Sequence, residues 1–132
     1  MVGVTDKPIV PQDVADSLKT DVSGSVVTHT AILRASEGER KLVSMEYQAS
    51  GEAAGKELSQ IETEIRGKWE IQDIALWRRM GRVSPGEVIL VAAVSAPHRK
   101  EAFQACEYAV EKLRGMTSVK RREIYERTGG RA

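Results

Sequence analysis

Three groups of cationic side chains in this sequence could act together on an anion. Arg34 follows directly on a Val/Thr/Ile-rich run. His98 and Arg99 follow Ser95-Ala96-Pro97 at the end of the apolar run Val88 to Val94. The third group is the segment Arg114 to Arg122. Ser95 reads as a helix cap and Pro97 as a first-turn residue, where a missing N–H costs little. His98 and Arg99 are therefore expected on the first turn of a helix, where free N–H groups and partial positive charge favour an anion. The plainer alternative is an exposed His-Arg pair on a solvated turn. Such a cationic set would suit a small phosphorylated or acidic ligand.

Other chemistries find less support. The single cysteine excludes an internal disulfide and a Cys-rich metal site, and two histidines, His29 and His98, argue against a classical zinc site, so no metal is expected. Cys106 falls on the apolar stripe of its helix and reads as a small core residue. His29, in mid-strand, reads as structural, and Trp69 and Trp77 as packing residues. The Gly81-Arg82-Val83-Ser84-Pro85-Gly86 stretch has neither the Rossmann nor the P-loop pattern.

The elements that must position these residues follow from periodicity. Residues 1–9 read as a loose lead-in. Pro11 to Leu18 reads as a short helix with Val14 and Leu18 inward. Ser25 to Leu33 reads as a strand, Ser36 to Glu39 as a turn, and Leu42 to Ala49 as a half-buried strand with Val43, Met45 and Tyr47 on one face. The two strands are expected to form a hairpin. Ala54, Leu58, Ile61 and Ile65 mark a helix opened by Ser50 or Gly51 and ended near Gly67. Trp69 to Trp77 reads as a third strand, Arg78 to Arg82 as a polar link, and Val88 to Val94 as a buried fourth strand after the Pro85-Gly86 turn. The second main helix is expected to bury Ala102, Phe103, Cys106, Val110 and Leu113 and to stop at Gly115. Ile124 and Tyr125 suggest a last short strand, and Gly129-Gly130 a flexible end. The expected fold is an α+β sandwich: a mostly antiparallel sheet with two main helices on one face, hammerhead-like, in a single domain over residues 1–132. Residues 115–132 are its basic tail.

An apolar fraction of 41% and a charged fraction of 30% are those of an ordinary globular protein. No run reaches membrane-spanning length and no charged-then-apolar leader opens the chain, so a cytoplasmic protein with no membrane partner is expected. The net charge of +1 hides an asymmetry: residues 112–132 carry +5 and the rest −4. A basic tail can bind phosphates, nucleic acid or an acidic partner, or simply be solvated. Aromatic residues interleaved with the basic ones would point to nucleic acid, and only Tyr125 is present, so no nucleic-acid partner is expected.

Several runs resemble the large, catalytic subunit of molybdopterin synthase. They are Arg79-Met80-Gly81, Pro85-Gly86-Glu87, Ser95-Ala96-Pro97-His98-Arg99, Glu101-Ala102-Phe103 and Ala105-Cys106, with Gly24-Ser25-Val26-Val27-Thr28 and Leu33-Arg34 upstream. The resemblance runs from about Gly24 to Glu123. It implies a homodimer at the centre of a heterotetramer, with a ubiquitin-like small subunit at each end. The small subunit's thiocarboxylated C-terminal glycine would enter the large subunit's site. Two sulfur atoms would pass to cyclic pyranopterin monophosphate, the substrate, and no cofactor is implied. The product dithiolene serves molybdenum cofactor biosynthesis.

On this resemblance Arg34, His98 and Arg99 bind substrate, and Lys120, Arg114 and Arg121 are the catalytic group. The family carries lysine at the positions of Arg114 and Arg121. Arginine keeps the charge but cannot act as an amine nucleophile or proton shuttle. Lys120, one residue away, would take that role if the short Gly115 to Ser118 link shifted the register. The competing expectation, from the missing lysines, is a non-catalytic paralogue: a dimeric binding module for the small subunit or a phosphorylated ligand.

Overall fold

The structure is a computed structural model and describes residues 1–37 and 40–126. Gly38 and Glu39 of the expected turn, the Gly129-Gly130 end and the tail arginines Arg127 and Arg131 lie outside the described residues. The elements in order are β1 (Val2–Thr5), α1 (Pro11–Asp16), β2 (Ser25–Ile32), β3 (Ser36–Glu37), β4 (Arg40–Gln48), α2 (Gly51–Lys68), β5 (Asp73–Arg79), β6 (Gly81–Val83), β7 (Val88–Ala96), α3 (Arg99–Arg114) and β8 (Lys120–Tyr125).

Two sheets carry the fold. The first has the order β1-β5-β7-β2, antiparallel except where β1 lies parallel to β5. Helices α2 and α3 cover one face, where Ala54, Leu58, Ile61 and Ile65 meet Ile74, Leu76, Leu90, Ala92 and Val94 and the α3 residues Ala105, Cys106, Ala109 and Leu113. Leu18 covers the other face against Ala75 and Ala93, with Val14, Val26 and Trp77 beside it. Burial on both faces explains why β7 is an unbroken apolar run. The α+β reading with two main helices on one face is correct. A second sheet, β3-β4-β6 with β8 also on β4, adds a smaller core of Leu33, Leu42, Met45, Tyr47, Met80 and Val83.

Several expectations need correction. Residues 1–9 are not wholly a loose lead-in, because Val2–Thr5 extend the sheet along Leu76 to Arg79. Strands β2 and β4 form no hairpin. The nine-residue β7 needs a long partner on each side; β5 is one, and β2 is the other through eight register pairs from Ser25↔Ala96 to Ile32↔Val88. Strand β4 is thereby left to found the second sheet. The polar link Arg78 to Arg82 is instead the end of β5 and most of β6, with Arg78 and Arg79 buried.

Ser95 caps no helix. Its hydroxyl lies in β7, fully buried, and donates to the Asp73 carbonyl at 3.5 Å. Pro97 disfavours helical backbone at Ala96, so the strand runs through Ala96 and the helix begins at Arg99 behind an extended His98. Gly24 meets this corner: a Cβ there would stand 2.0 Å from the Pro97 carbonyl oxygen, so only glycine fits. On α3, Ala102, Cys106 and Leu113 are buried as expected, but Phe103 is 61% exposed. Its position is one step off the stripe that Ala102, Ala105, Cys106 and Ala109 occupy.

Candidate functional site

A cavity of about 580 Å³ opens where the two sheets meet. Its lining comes from the end of β2 (Ile32 with Leu33 and Arg34 just beyond it), from β4 (Leu42, Met45, Tyr47), from Ile89 of β7, from Arg114 at the end of α3, and from β8 (Arg121, Glu123, Tyr125). Three of the expected site residues thus converge: Arg34, Arg114 and Arg121. Long-range register brings them together. The end of β2 is tied to the Pro85-Gly86 turn, with Leu33 N–H donating to the Glu87 carbonyl at 3.0 Å and Gly86 N–H donating to the Leu33 carbonyl at 2.8 Å. Strand β8 pairs with β4 through Tyr47↔Arg121 and Met45↔Glu123. Alternate residues of each strand therefore face the cavity together.

The same alternation sends Lys120 and Arg122 to the opposite face of β8. Lys120 is exposed and pairs with Gln48, without a register shift between it and Arg121. Arg122 forms an ion pair with Glu46 there, which holds the Glu46 carboxyl below its usual range. Among the described residues no lysine lines the cavity. His98 and Arg99 are exposed at the first residues of α3. The sixteen-residue helix separates them from Arg114 by about 24 Å along its axis. One chain does not bring them to the cavity.

Electrostatically the cavity is cationic. Glu123 is the carboxylate among its lining residues, and it accepts a hydrogen bond from the Tyr125 hydroxyl. Arg40 stacks on the outer ring partner, its guanidinium carbon 3.9 Å from the Tyr125 ring centre. The segment leading into β8 is fixed from α2. The Glu57 carboxylate accepts from the backbone N–H groups of Thr117 and Ser118, each at 3.0 Å, and from the Ser118 hydroxyl at 2.6 Å. Burial alone would raise the Glu57 carboxyl, but these donors outweigh it and hold it below the usual carboxylate range.

Sequence reasoning missed Arg78. It continues the α-covered face of β5 after Ile74 and Leu76, and is only 7% exposed. Its Nη1 donates to the Leu113 carbonyl at the end of α3, and its guanidinium carbon lies 5.4 Å from the Tyr47 ring centre. The available signal was an arginine in phase with two core residues, at the end of a buried strand. Cys106, as expected, is a core residue: burial pushes its thiol up to about 11, and it donates to the Ala92 carbonyl at 3.5 Å. Trp69 packs edge-on against Tyr108, ring centres 5.3 Å apart. Among the described residues no three His, Cys, Asp or Glu side chains gather as metal ligands, and no helix is long and apolar enough to cross a membrane.

The family model described as MoaE protein matches residues 4–116, most of the chain. The chain belongs to the MoaE protein family. It is 33% identical over 123 residues to the molybdopterin synthase catalytic subunit of Bacillus subtilis, covering 93% of this chain and 78% of that protein. Its fold matches the crystal structure of molybdopterin synthase from Staphylococcus aureus with a TM-score of 0.88 and 31% identity, over 94% of this chain and 90% of that one. A Helicobacter pylori complex of molybdopterin-converting factor subunits 1 and 2 shares the fold, with a TM-score of 0.77 at 9% identity, over 99% and 92% of the two chains. The function is the one this family's relatives carry: that of a molybdopterin synthase catalytic subunit, a sulfurtransferase in molybdenum cofactor biosynthesis. The matched stretch includes Arg34, His98, Arg99 and Arg114, while β8 with Arg121 follows it.

Proposed function

We propose that the cavity between the sheets is where a thiocarboxylated small subunit delivers sulfur to cyclic pyranopterin monophosphate. The observation that carries this reading is the convergence of Arg34, Arg114 and Arg121 from three separate elements on one cavity. Both reactants are anions, one through its phosphate and one through its thiocarboxylate. Fixed guanidinium groups hold such anions in place and stabilise charge that shifts during transfer, without reorganising. Arg114 and Arg121 supply this as permanent cations, so the transfer here uses electrostatic stabilisation and no lysine amine. Lys120 stands outside the cavity, on the far face of β8. The small subunit is supported as partner by the family and by the two-subunit composition of the Helicobacter pylori relative.

His98 and Arg99 join this site if the protein is a homodimer. Strand β2 is the open edge of the first sheet, and Ser25 at its start lies opposite Ala96, beside the start of α3. Arg34 beyond its end lines the same cavity as Arg114 at the end of α3. Helix α3 therefore runs along β2 with His98 and Arg99 at one end and the cavity at the other. A two-fold axis near the middle of β2 would exchange these ends and bring each copy's His98 and Arg99 toward the other's cavity. The exposed Phe103 lies on this side and lines a groove of about 560 Å³ between β2 and α3, which reaches Arg114.

Reconstitution tests the function. Purified protein, thiocarboxylated small subunit and cyclic pyranopterin monophosphate should yield dithiolene product, and Arg114→Met should abolish most of it. Tight small-subunit binding with no product would instead identify the non-catalytic paralogue.

A further inference from the structure

We infer, resting on the function proposed above, that Arg78 is a positioning residue of this site: it braces Arg114 and Arg121 and adds, from behind the lining, a fourth and buried positive charge to those of Arg34, Arg114 and Arg121. Its two contacts fall on the immediate neighbours of those arginines. Leu113, whose carbonyl accepts from Arg78, is covalently joined to Arg114. Tyr47, under the guanidinium, is the register partner of Arg121 on β4 and itself lines the cavity. One rigid planar group therefore links the end of α3 to the β4·β8 pair, the two elements whose relative position sets the spacing of the catalytic cations.

The charge of Arg78 has no carboxylate partner among the described ion pairs, and its Nε is buried without a hydrogen-bond acceptor. A buried guanidinium left in this state is costly to the free protein. The carbonyl pole at the end of α3 and the Tyr47 ring offset part of that cost. Burial lowers the Arg78 pKa from its ordinary value; Tyr47 and Glu57 oppose that shift, while the charges of Arg121 and Arg114 add to it, so Arg78 feels both arginines of the cavity. An anion entering the cavity would offset the repulsion that Arg78 feels from Arg114 and Arg121. The fold keeps a buried charge that its own partners compensate only in part, and a ligand of opposite sign adds to that compensation.

A purely structural arginine and a positioning one differ in the sign of a measurable effect. The Leu113 carbonyl also accepts from Met116 N–H at 3.5 Å, so removing Arg78 does not orphan it. Arg78→Met is therefore expected to leave the melting temperature unchanged or higher while weakening binding. The test titrates inorganic phosphate at low ionic strength into the intact wild-type chain, Arg78→Met and Arg78→Lys, each with its melting temperature. The expected result is a Kd raised about tenfold in Arg78→Met and within about threefold of wild type in Arg78→Lys. Equal phosphate affinity in all three proteins would overturn the inference, as would a wild type that does not bind phosphate. A lysine variant no better than the methionine variant would show that the positive charge of Arg78 contributes nothing to anion binding and also overturn it. Turnover of the wild type in the reconstituted reaction is scored separately. Loss of that turnover refutes the proposed chemistry, while the phosphate titration still decides Arg78.

Discussion

The helix-covered sheet and the cavity-bearing sheet obey different rules. In the first, apolar side chains at period two on β5 and β7 meet apolar stripes at helical period on α2 and α3. Its stability is a property of the buried face, and any one position contributes through the volume it fills. In the second, the cavity side of β4 is apolar (Leu42, Met45, Tyr47) while that of β8 carries Arg121, Glu123 and Tyr125, and their pairing joins residues far apart in sequence, such as Tyr47 and Arg121. There the apolar core is smaller and the arrangement of charge matters more. The comparison teaches that this chain separates the part that holds from the part that reacts. Substitutions should divide accordingly.

The largest stability effect belongs to the first sheet. Leu58→Ala, at a fully buried position on α2, should cost about 3 kcal/mol in urea unfolding, with the surviving folded protein still active. Arg121→Met should do the reverse: kcat/KM falls about a hundredfold while the unfolding free energy stays within about 0.5 kcal/mol. If Arg121→Met unfolded the protein, or Leu58→Ala removed activity at full folding, the separation would fail.

Glu57 lies between the two regions, on a scaffold helix but holding the segment that leads to β8. Glu57→Gln should cost about 1 kcal/mol at neutral pH, from weakened hydrogen bonds to Thr117 and Ser118. Because the folded carboxyl lies below its usual range, its contribution is complete above the unfolded value of about 4.3 and is lost as pH falls through the folded one. The wild-type advantage in urea unfolding should therefore shrink as the pH is lowered from 7 to 3. A constant difference would remove the ionised carboxylate from the account. The smallest effect is expected from Lys120→Ala, which should change turnover by less than about twofold, since this exposed side chain faces away from the cavity. A large loss there would mean that β8 shifts register during catalysis.

Much of the first sheet could be read from the chain. The stripe Ala54, Leu58, Ile61, Ile65 is buried residue for residue, and the run beginning at Val88 is the doubly buried strand its composition announces. The resemblance carried by Ser95 to Arg99 and Gly24 to Thr28 gave the family, and Gly24 packed against the Pro97 carbonyl shows why those two runs occur together. Pairing was harder to read, because β2 and β4 are neighbours in sequence while β2 has more to gain from the length of β7. The cations Arg34, Arg114 and Arg121 could be singled out by charge, but only their place in the fold tells Arg121 from Lys120, one residue apart and on opposite faces. Arg78 reads in sequence as the start of a polar link after Trp77, because a charged side chain hides its core phase with Ile74 and Leu76.

In the proposed homodimer the arginine cavity of one copy works with His98 and Arg99 of another. Co-expression of Arg121→Met with His98→Ala, each expected to lose all but a few per cent of activity alone, tests it most directly. In a freely mixed population of homodimers and mixed dimers, half the dimers carry one intact site, so activity should recover to about a quarter of wild type. Activity no higher than that of either variant alone would contradict the account and place all the working residues within one chain.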